Sequence, residues 1–361
     1  MKIKLLDLSR ILAGPVCSMI LGDMGADVIK VEWPGAGDET RKWGPPFDEE
    51  GQSAYFLAVN RNKKSVAADL TDERDRGLIL DLIRDADVVL DNFLAGSLQR
   101  LELDPDELLE KYPSLIWCTI SGFGAESARP GYDFVIQAEC GWMAITGESH
   151  GSPMKIGVAL ADVIGGKDAA VAILGAIVER ADGAQSTKKR RINISLADGA
   201  RAALVNVAQN VLVSGSEAKR WGNAHPNLVP YELFDAADRP FVIAVGSDGQ
   251  WYACATALGL SDLAGDEALR TNAGRVENRE RIVSALAQRV GEMGAQHWID
   301  RLQSVGVPCG LVRTVKEALE ATDADPRTGI PPSVPGSIRF PPPKLNEHGE
   351  SIRTLGWRAF G

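Results

Sequence analysis

Metal-ligand motifs, paired cysteines and long apolar runs are all missing from this 361-residue sequence, and each absence excludes a class of protein. The four histidines lack metal-ligand spacing and the five cysteines are scattered without a CxxC pair, so we expect neither a metal site nor disulfides. No apolar run approaches the roughly 20 residues that a membrane span needs, and no leader pattern opens the chain. We therefore expect a cytoplasmic protein without a membrane partner.

An excess of positive charge is also missing, because 39 basic residues face 49 acidic ones and the formal net charge is -10. This balance argues against nucleic acid as a partner. An anionic ligand must then meet a local basic cluster. We interpret TKKRR (187–191) as a solvated face, whereas NRNKKS (60–65) leads into a strand-like run, where Arg61, Lys63 and Lys64 suit phosphate groups.

Nucleotide and hydrolase fingerprints are absent as well, since the sequence has no GxGxxG, no Walker A and no GxSxG. Strand-like and helical segments nevertheless alternate from KIKLLDL to SLIWCTISGFG, which is typical of an α/β fold with a parallel sheet. We predict a Rossmann-like large domain whose first part spans 1–200, a linker helix at 201–224 and a small α+β domain at 225–310. Residues 311–361 are expected to form a linker and to return to the large domain.

A lone carboxylate, Asp162, stands among small and apolar residues in GVALADVIGGKDAAVAILGAIVER, where a helix is predicted to begin. Free N–H groups and the helix dipole favour an ionised side chain there, so the simplest interpretation is a helix cap. Gly165 and Gly166 are expected to leave room for a substrate, and in that case the carboxylate acts as a nucleophile or a base. The residues alone leave both interpretations open.

Several ordered segments resemble the family III CoA-transferases, or CaiB/BaiF family, which includes formyl-CoA transferase, the carnitine CoA-transferases and the α-methylacyl-CoA racemases. The matching segments are LDLSRILAGPVCSMILGDMGADVIKVEWPGAGDETRKWGPP, NRNKKSVAADL, DNFLAGSLQRLELD, SGFGAESARPGYDFVIQAECGWMAITGE, GVALADVIGG, GNAHPNLVPYELF and VGVPCGLV. The resemblance implies an acyl-CoA:carboxylate CoA-transferase in which Asp162 is the catalytic nucleophile. Its intermediates would be aspartyl anhydrides and an aspartyl-CoA thioester.

The resemblance also implies that CoA or acyl-CoA binds as a substrate, and we expect no tightly bound cofactor. It assigns CoA contacts to eight residues: Ile11, Leu12, Arg61, Lys63, Lys64, Asn92, Phe93 and Arg100. Phe93 is expected to flank the adenine, and Arg100 to meet the phosphates together with a member of the basic cluster. Formyl-CoA transferase has glutamine where Leu12 stands and arginine where Trp33 stands, so its small-acyl specificity does not carry over.

The implied substrate pocket contains Tyr132, Gln137 and His225. In the racemases a histidine that moves the α-proton occupies the position of Tyr132, and a phenol with a pKa of about 10 is a poor substitute. This difference favours the transferase over the alternative, a 2-methylacyl-CoA racemase. Packing is the other interpretation for Tyr132, and a structural loop role is the other interpretation for His225. GNAHPNLVPYELF replaces the Gly-rich loop of formyl-CoA transferase, which suggests a larger acyl group, such as a dicarboxylate.

The family resemblance further implies an interlocked, ring-like homodimer. The other expected partners are an acyl-CoA and a carboxylic acid. A CoA-binding protein without turnover is the alternative from another functional class. The intact Asp162 argues against it, because a pure binder has no use for a nucleophile.

Overall fold

The protein is described here by a computed structural model that covers residues 2–181 and 190–361 and divides into two units. The large unit contains the residues up to Met143 together with Lys155–Glu217 and Thr322–Gly361. The small unit contains Ala144–Met154 and Ala218–Ala321. Most of the basic segment 187–191 lies outside the described residues.

A six-stranded parallel sheet forms the centre of the large unit, with the strand order β3-β2-β1-β4-β5-β6. The strands are β1 (Lys4–Asp7), β2 (Asp27–Glu32), β3 (Lys63–Ala67), β4 (Val88–Asp91), β5 (Ile116–Ser121) and β6 (Arg191–Ser195). The inner strands are nearly continuous apolar runs because helices cover both faces of a parallel sheet. The α/β class and the parallel sheet predicted from the sequence are confirmed.

Helices pack on both faces of this sheet and enclose two apolar cores. Those described for the large unit and its border are α1 (Ala13–Asp23), α2 (Ala54–Leu57), α3 (Glu73–Arg84), α4 (Ser97–Arg100), α5 (Pro105–Lys111), α6 (Asp133–Glu139), α7 (Trp142–Ile145), α8 (Leu160–Ala181), α9 (Leu196–Ala202), α10 (Val205–Ser214) and, near the C-terminus, Gly349–Leu355. Short 3-10 helices occur at Glu39–Lys42 and Gly356–Phe360. Among the described helices, none is long and apolar enough to cross a lipid bilayer.

The close approach of α1 and α8 depends on glycine. A Cβ atom on Gly166 would lie 2.5 Å from the carbonyl oxygen of Ala13, and one on Gly165 would lie 2.3 Å from the side chain of Leu196. Both glycines are buried in this packing. The expectation that they leave room for a substrate is therefore wrong, since neighbouring protein atoms already occupy the space.

The C-terminal segment covers the exposed edge of β3. The backbone N–H of His348 donates to the carbonyl of Ser65 (3.0 Å), and Asn346 Oδ1 accepts from the N–H of Ala67 (2.9 Å). Further along, the indole of Trp357 donates to the carbonyl of Leu82 (3.0 Å). An edge strand that is paired in this way offers few free backbone groups to another chain.

The small unit has its own antiparallel sheet with the order β7-β8-β9. Its strands are β7 (Tyr231–Asp235), β8 (Pro240–Ala244) and β9 (Cys309–Leu311). Its helices are Asp248–Ala257, Ser261–Ala264, Asn272–Glu277, Arg279–Val290, Ala295–Ser304 and Val315–Leu319, with a 3-10 helix at Glu267–Leu269. Trp251, Trp298 and Phe241 are at the centre of a separate apolar core.

The two units differ from the predicted domains mainly at their borders. The predicted small domain, 225–310, falls within the segment Ala218–Ala321, and the small unit also takes in Ala144–Met154. The helix of the predicted linker 201–224, α10, belongs to the large unit.

Candidate active site

The order of the strands reverses between β1 and β4, and a cavity of about 330 Å³ opens at the carboxyl ends of these strands. This is where open α/β sheets bind ligands. Six of the predicted site residues line the cavity: Ile11, Leu12, Asn92, Phe93, Tyr132 and Asp162. We call it the Asp162 pocket. The remaining lining residues are Arg10, Ala13, Leu94, Ile120, Ser121, Gly122, Ser127, Arg129, Pro130, Gly131 and Leu196.

Asn92 and Asp38 shape the loop that follows β1. Asn92 Oδ1 accepts from the backbone N–H of Arg10 (2.9 Å), and its Nδ2 donates to the carbonyl of the same residue (2.7 Å). The carboxylate of Asp38 accepts from the N–H of Ile11 (3.1 Å). The predicted contribution of Asn92 to the site thus includes holding the loop in place.

Ile11 adopts a left-handed backbone conformation, with φ of 71°. This region is unfavourable for a β-branched residue and occurs where surrounding contacts enforce it. The enforcing residue, Asp38, is buried and forms an ion pair of 3.0 Å with the buried Lys30. Burial acts to lower the pKa of Lys30, but the charges of Asp38 and Asp7 outweigh it and hold this pKa above its ordinary value. The strained turn therefore rests on a charged pair in the interior.

Asp162 lies in the first turn of α8, half-buried, and its carboxylate accepts no hydrogen bond and forms no ion pair within the described part of the chain. Burial, and then the negative charge of Asp133, raise its pKa from 3.8 to about 7. The expectation that the helix start would favour ionisation of Asp162 is therefore wrong. A free carboxylate with a raised pKa is nevertheless a strong candidate for chemistry.

Asp133, the residue that repels Asp162, is itself the cap of α8. Its Oδ1 accepts from the backbone N–H of Ala161 (2.8 Å). Its Oδ2 accepts from Gln137 Nε2 (2.6 Å), while Gln137 Oε1 accepts from the N–H of Ile156 (2.8 Å). Gln137 is fully buried and is absent from the lining of the Asp162 pocket. Its predicted contact with the substrate is thus replaced by a positioning role.

The basic segment 60–65 is turned into the interior. Arg61 is paired with Asp23 (2.7 Å), and Lys63 lies 3.2 Å from Asp7 with no exposed surface. Burial lowers the pKa of Lys63 to about 8 in spite of Asp7. These contacts contradict the phosphate roles predicted for the two side chains. The physical reason is that the segment leads into β3 and forms its amino end, whereas ligands meet the carboxyl ends of parallel strands.

Lys64, Arg100 and His225 also lie outside the lining of the Asp162 pocket. The ammonium of Lys64 donates to the carbonyl of Ala359 and lies over the ring of Phe360. Arg100 is exposed and donates to Ser97 Oγ (3.0 Å).

His225 belongs to the small unit. Its Nδ1 accepts from the N–H of Asn227 (3.0 Å), and its ring packs on Tyr231. Burial and the charge of Arg279 lower the pKa of His225.

Sequence reasoning missed Arg10 and Arg129, which line the site, and Tyr55, which lies within electrostatic range of Asp162. Arg10 and Arg129 line the Asp162 pocket, and Arg10 also borders a second cavity of about 310 Å³. Tyr55 is close enough for Asp162 to contribute, after burial, to raising its pKa. Arg129 stands in SARPGYDF, part of a segment that resembles the family, so its charge beside a strand end was the available signal. No such signal marked Tyr55.

The parallel α/β sheet and the free carboxylate at its switch point define an enzyme of the α/β class with a carboxylate-centred pocket. The sequence model of CoA-transferase family III matches residues 2–332. The chain therefore belongs to CoA-transferase family III, as its motifs predicted.

Relatives of known activity support the same conclusion. The succinate–glutarate CoA-transferase of Agrobacterium fabrum is 37% identical, over 97% of this chain and 94% of its own length. The mouse succinyl-CoA:glutarate CoA-transferase is also 37% identical, over 97% of this chain and 84% of its own length. A solved CaiB/BaiF family protein of Brucella suis has 40% identity and a TM-score of 0.85, covering 98% of this chain and 97% of that one. The protein is accordingly an acyl-CoA:carboxylate CoA-transferase.

Proposed function

We propose that Asp162 carries the acyl group and then CoA during transfer. The observation that supports this is its free carboxylate, which lies in the pocket at the sheet's switch point. A carboxylate with a pKa of about 7 is more nucleophilic than an ordinary one and is still about half ionised near neutral pH.

The proposed sequence of steps is balanced without ATP. An Asp162 oxygen attacks the thioester carbonyl of the donor, the C–S bond breaks, and CoA leaves as the thiolate. The thiolate then attacks the Asp162 carbonyl of the resulting anhydride, which releases the donor acid and leaves an aspartyl-CoA thioester. The acceptor carboxylate attacks that thioester and expels the thiolate, which finally attacks the acceptor carbon of the new anhydride. Acyl-CoA is released and the Asp162 carboxylate is restored.

CoA is proposed to extend across the two neighbouring cavities. They share Arg10 and Phe93, so a ligand passing between them would meet a cation and an aromatic ring. The guanidinium of Arg10 lies 5.6 Å from the centre of the Phe93 ring. A guanidinium such as that of Arg10 suits a phosphate, and an aromatic ring such as that of Phe93 suits the adenine base. Ile11, Leu12 and Asn92 would line the path toward Asp162.

The acyl donor and acceptor are proposed to be short dicarboxylic acids. The relatives named for succinate and glutarate support this class. The Asp162 pocket, at about 330 Å³, is at the lower end of the range for ligand sites and leaves room for a short acyl chain beside the end of CoA.

We propose that the chain assembles as the interlocked homodimer of Rossmann-like units implied by its family. Helix α10 has no buried residue, and Leu212 and Val213 on it are more than three-quarters exposed. Exposed apolar residues that cluster on one helix are typical of a surface covered by another protein chain. Size-exclusion chromatography with light scattering tests this, and a monomer that retains activity would contradict it.

Intermediate trapping tests the proposed chemistry. The protein would be incubated with succinyl-CoA, treated with hydroxylamine or borohydride, digested and analysed by mass spectrometry. We expect a modified peptide carrying Asp162, and none in Asp162→Ala or Asp162→Asn. Turnover that persists in both variants, or an adduct mapped to another carboxylate, would overturn the role of Asp162.

A further inference from the structure

Two cations are found among the described residues that line the Asp162 pocket, Arg10 and Arg129. They differ in where else they reach. Arg10 also lines the second cavity and forms an ion pair of 2.7 Å with Glu39. Arg129, in the turn that leads to Tyr132, lines the Asp162 pocket but not the second cavity. Of the two, Arg129 is therefore the cation confined to the cavity that holds Asp162.

The turn that carries Arg129 is tightly fixed to the end of β5. A Cβ atom on Gly131 would lie 2.2 Å from the Cα of Gly122, so the two backbones are in direct contact. The backbone N–H of Arg129 also donates to Ser127 Oγ (3.3 Å). A cation on a fixed turn loses little conformational entropy when it binds an anion.

The guanidinium of Arg129 contacts Phe123 and Glu139, but only part of its hydrogen-bonding capacity is taken up. It lies 4.1 Å from the centre of the Phe123 ring, and its Nη2 donates to Glu139 Oε1 (2.5 Å). Its Nε and Nη1 have no partner among the described residues. The pair with Glu139 is exposed on both sides, and exposed pairs contribute little to stability. Arg129 can therefore bind a second anion without losing a strong interaction, because its pair with Glu139 is weak.

We infer that Arg129 binds the second, non-reacting carboxylate of a dicarboxylic substrate. A guanidinium with free N–H groups binds a carboxylate through short, charge-assisted hydrogen bonds. One carboxyl group of the substrate would react at Asp162 while the other is held by Arg129, so that dicarboxylic acids are selected over monocarboxylic acids of equal length. The inference rests on the proposed function, because it assumes that acyl transfer takes place at Asp162.

The test compares acceptors that differ in a single charge. Initial rates of CoA transfer from succinyl-CoA would be measured with glutarate, its monoamide and valerate, for the wild type, Arg129→Gln and Arg129→Lys. We expect kcat/KM for glutarate to fall about 10- to 100-fold in Arg129→Gln, as for the loss of a charged hydrogen bond. The values for the monoamide and valerate should change less than about 3-fold, and Arg129→Lys should be intermediate.

Glu139→Gln supplies a second variant that does not remove the binding group. It removes the negative charge that competes for Nη2 of Arg129, so kcat/KM for glutarate should rise or stay level. Arg84 is another exposed arginine with carboxylate partners, so Arg84→Gln is the matched control. It should leave kcat/KM unchanged for every acceptor. Melting temperatures show whether each variant is folded.

Two kinds of failure can be told apart. An equal fall for glutarate and valerate in folded Arg129→Gln, or no fall for either, would overturn the role of Arg129 while Asp162 still forms its adduct. Absence of both adduct and transfer in the wild type would overturn the proposed function itself.

Discussion

Asp133 accepts, through Oδ1, a 2.8 Å hydrogen bond from the backbone N–H of Ala161, the residue immediately before Asp162. The start of α8 therefore already holds one negative charge. Asp162, next along the helix, is half-buried beside that charge, and its pKa rises to about 7. The two carboxylates thus differ, since that of Asp133 caps the helix, whereas that of Asp162 accepts no hydrogen bond from the described residues and is the one proposed to react.

Asp133→Asn should lower the pKa of Asp162, because it removes the neighbouring negative charge while keeping a side-chain oxygen for Ala161. If Asp162 reacts as the carboxylate, the rate falls as pH drops below about 7 in the wild type. In the variant this acid limb should move by about 0.5–1 pH unit toward lower pH. The measurement is kcat/KM for succinyl-CoA from pH 5 to pH 9.

The control for this shift is Asp168→Asn, which removes an exposed carboxylate from the same helix. Its acid limb should match that of the wild type. An unchanged limb in folded Asp133→Asn would mean that burial alone sets the pKa of Asp162.

Asp162→Asn should abolish transfer and raise thermal stability. The folded-state pKa of about 7 exceeds the ordinary 3.8, so ionisation at Asp162 costs stability as pH rises from about 4 to about 7. Asparagine avoids this cost, so the variant's advantage should grow over that range and then stay constant, reaching about 4 kcal/mol if the whole shift is realised. Melting temperatures at pH 4, 6 and 8 measure it. An advantage equal at all three pH values would show that desolvation of the carboxylate is not the cause.

The sequence was most informative where one residue type had one physical use. Asp162 was singled out because a carboxylate among small residues is unusual, and the family resemblance then assigned it the catalytic role. The loops after β1 and β4 were assigned by the resemblance, and they lie at the carboxyl ends of parallel strands, where such sheets bind ligands. Long-range pairing was beyond its reach. Nothing in NRNKKS shows that Arg61 and Lys63 would pair in the interior with Asp23 and Asp7, which lie 38 and 56 residues away in the chain.

The packing around the glycines and the electrostatic environment of Asp162 could not be predicted from the sequence either. The glycines beside Asp162 could serve either a substrate or a neighbouring helix, and it takes coordinates to show that α1 fills the gap. The helix start predicted an ionised Asp162, but Asp133 comes from a different helix and uses the same N-terminus. Arg129 could not be identified as a pocket residue without knowing which turn lines the pocket.

Gly166→Ala should destabilise the protein, whereas Gly175→Ala on the same helix should stabilise it. A Cβ on Gly166 would lie 2.5 Å from the carbonyl of Ala13, so α1 must move, at a cost of about 1–3 kcal/mol. Gly175 has open space, and alanine there gains up to about 1 kcal/mol in helix propensity. Because α1 follows directly on Ile11 and Leu12, Gly166→Ala should also raise KM for succinyl-CoA. Thermal melts and initial rates measure both effects, and equal stability of the two variants would show that α1 does not pack tightly on α8.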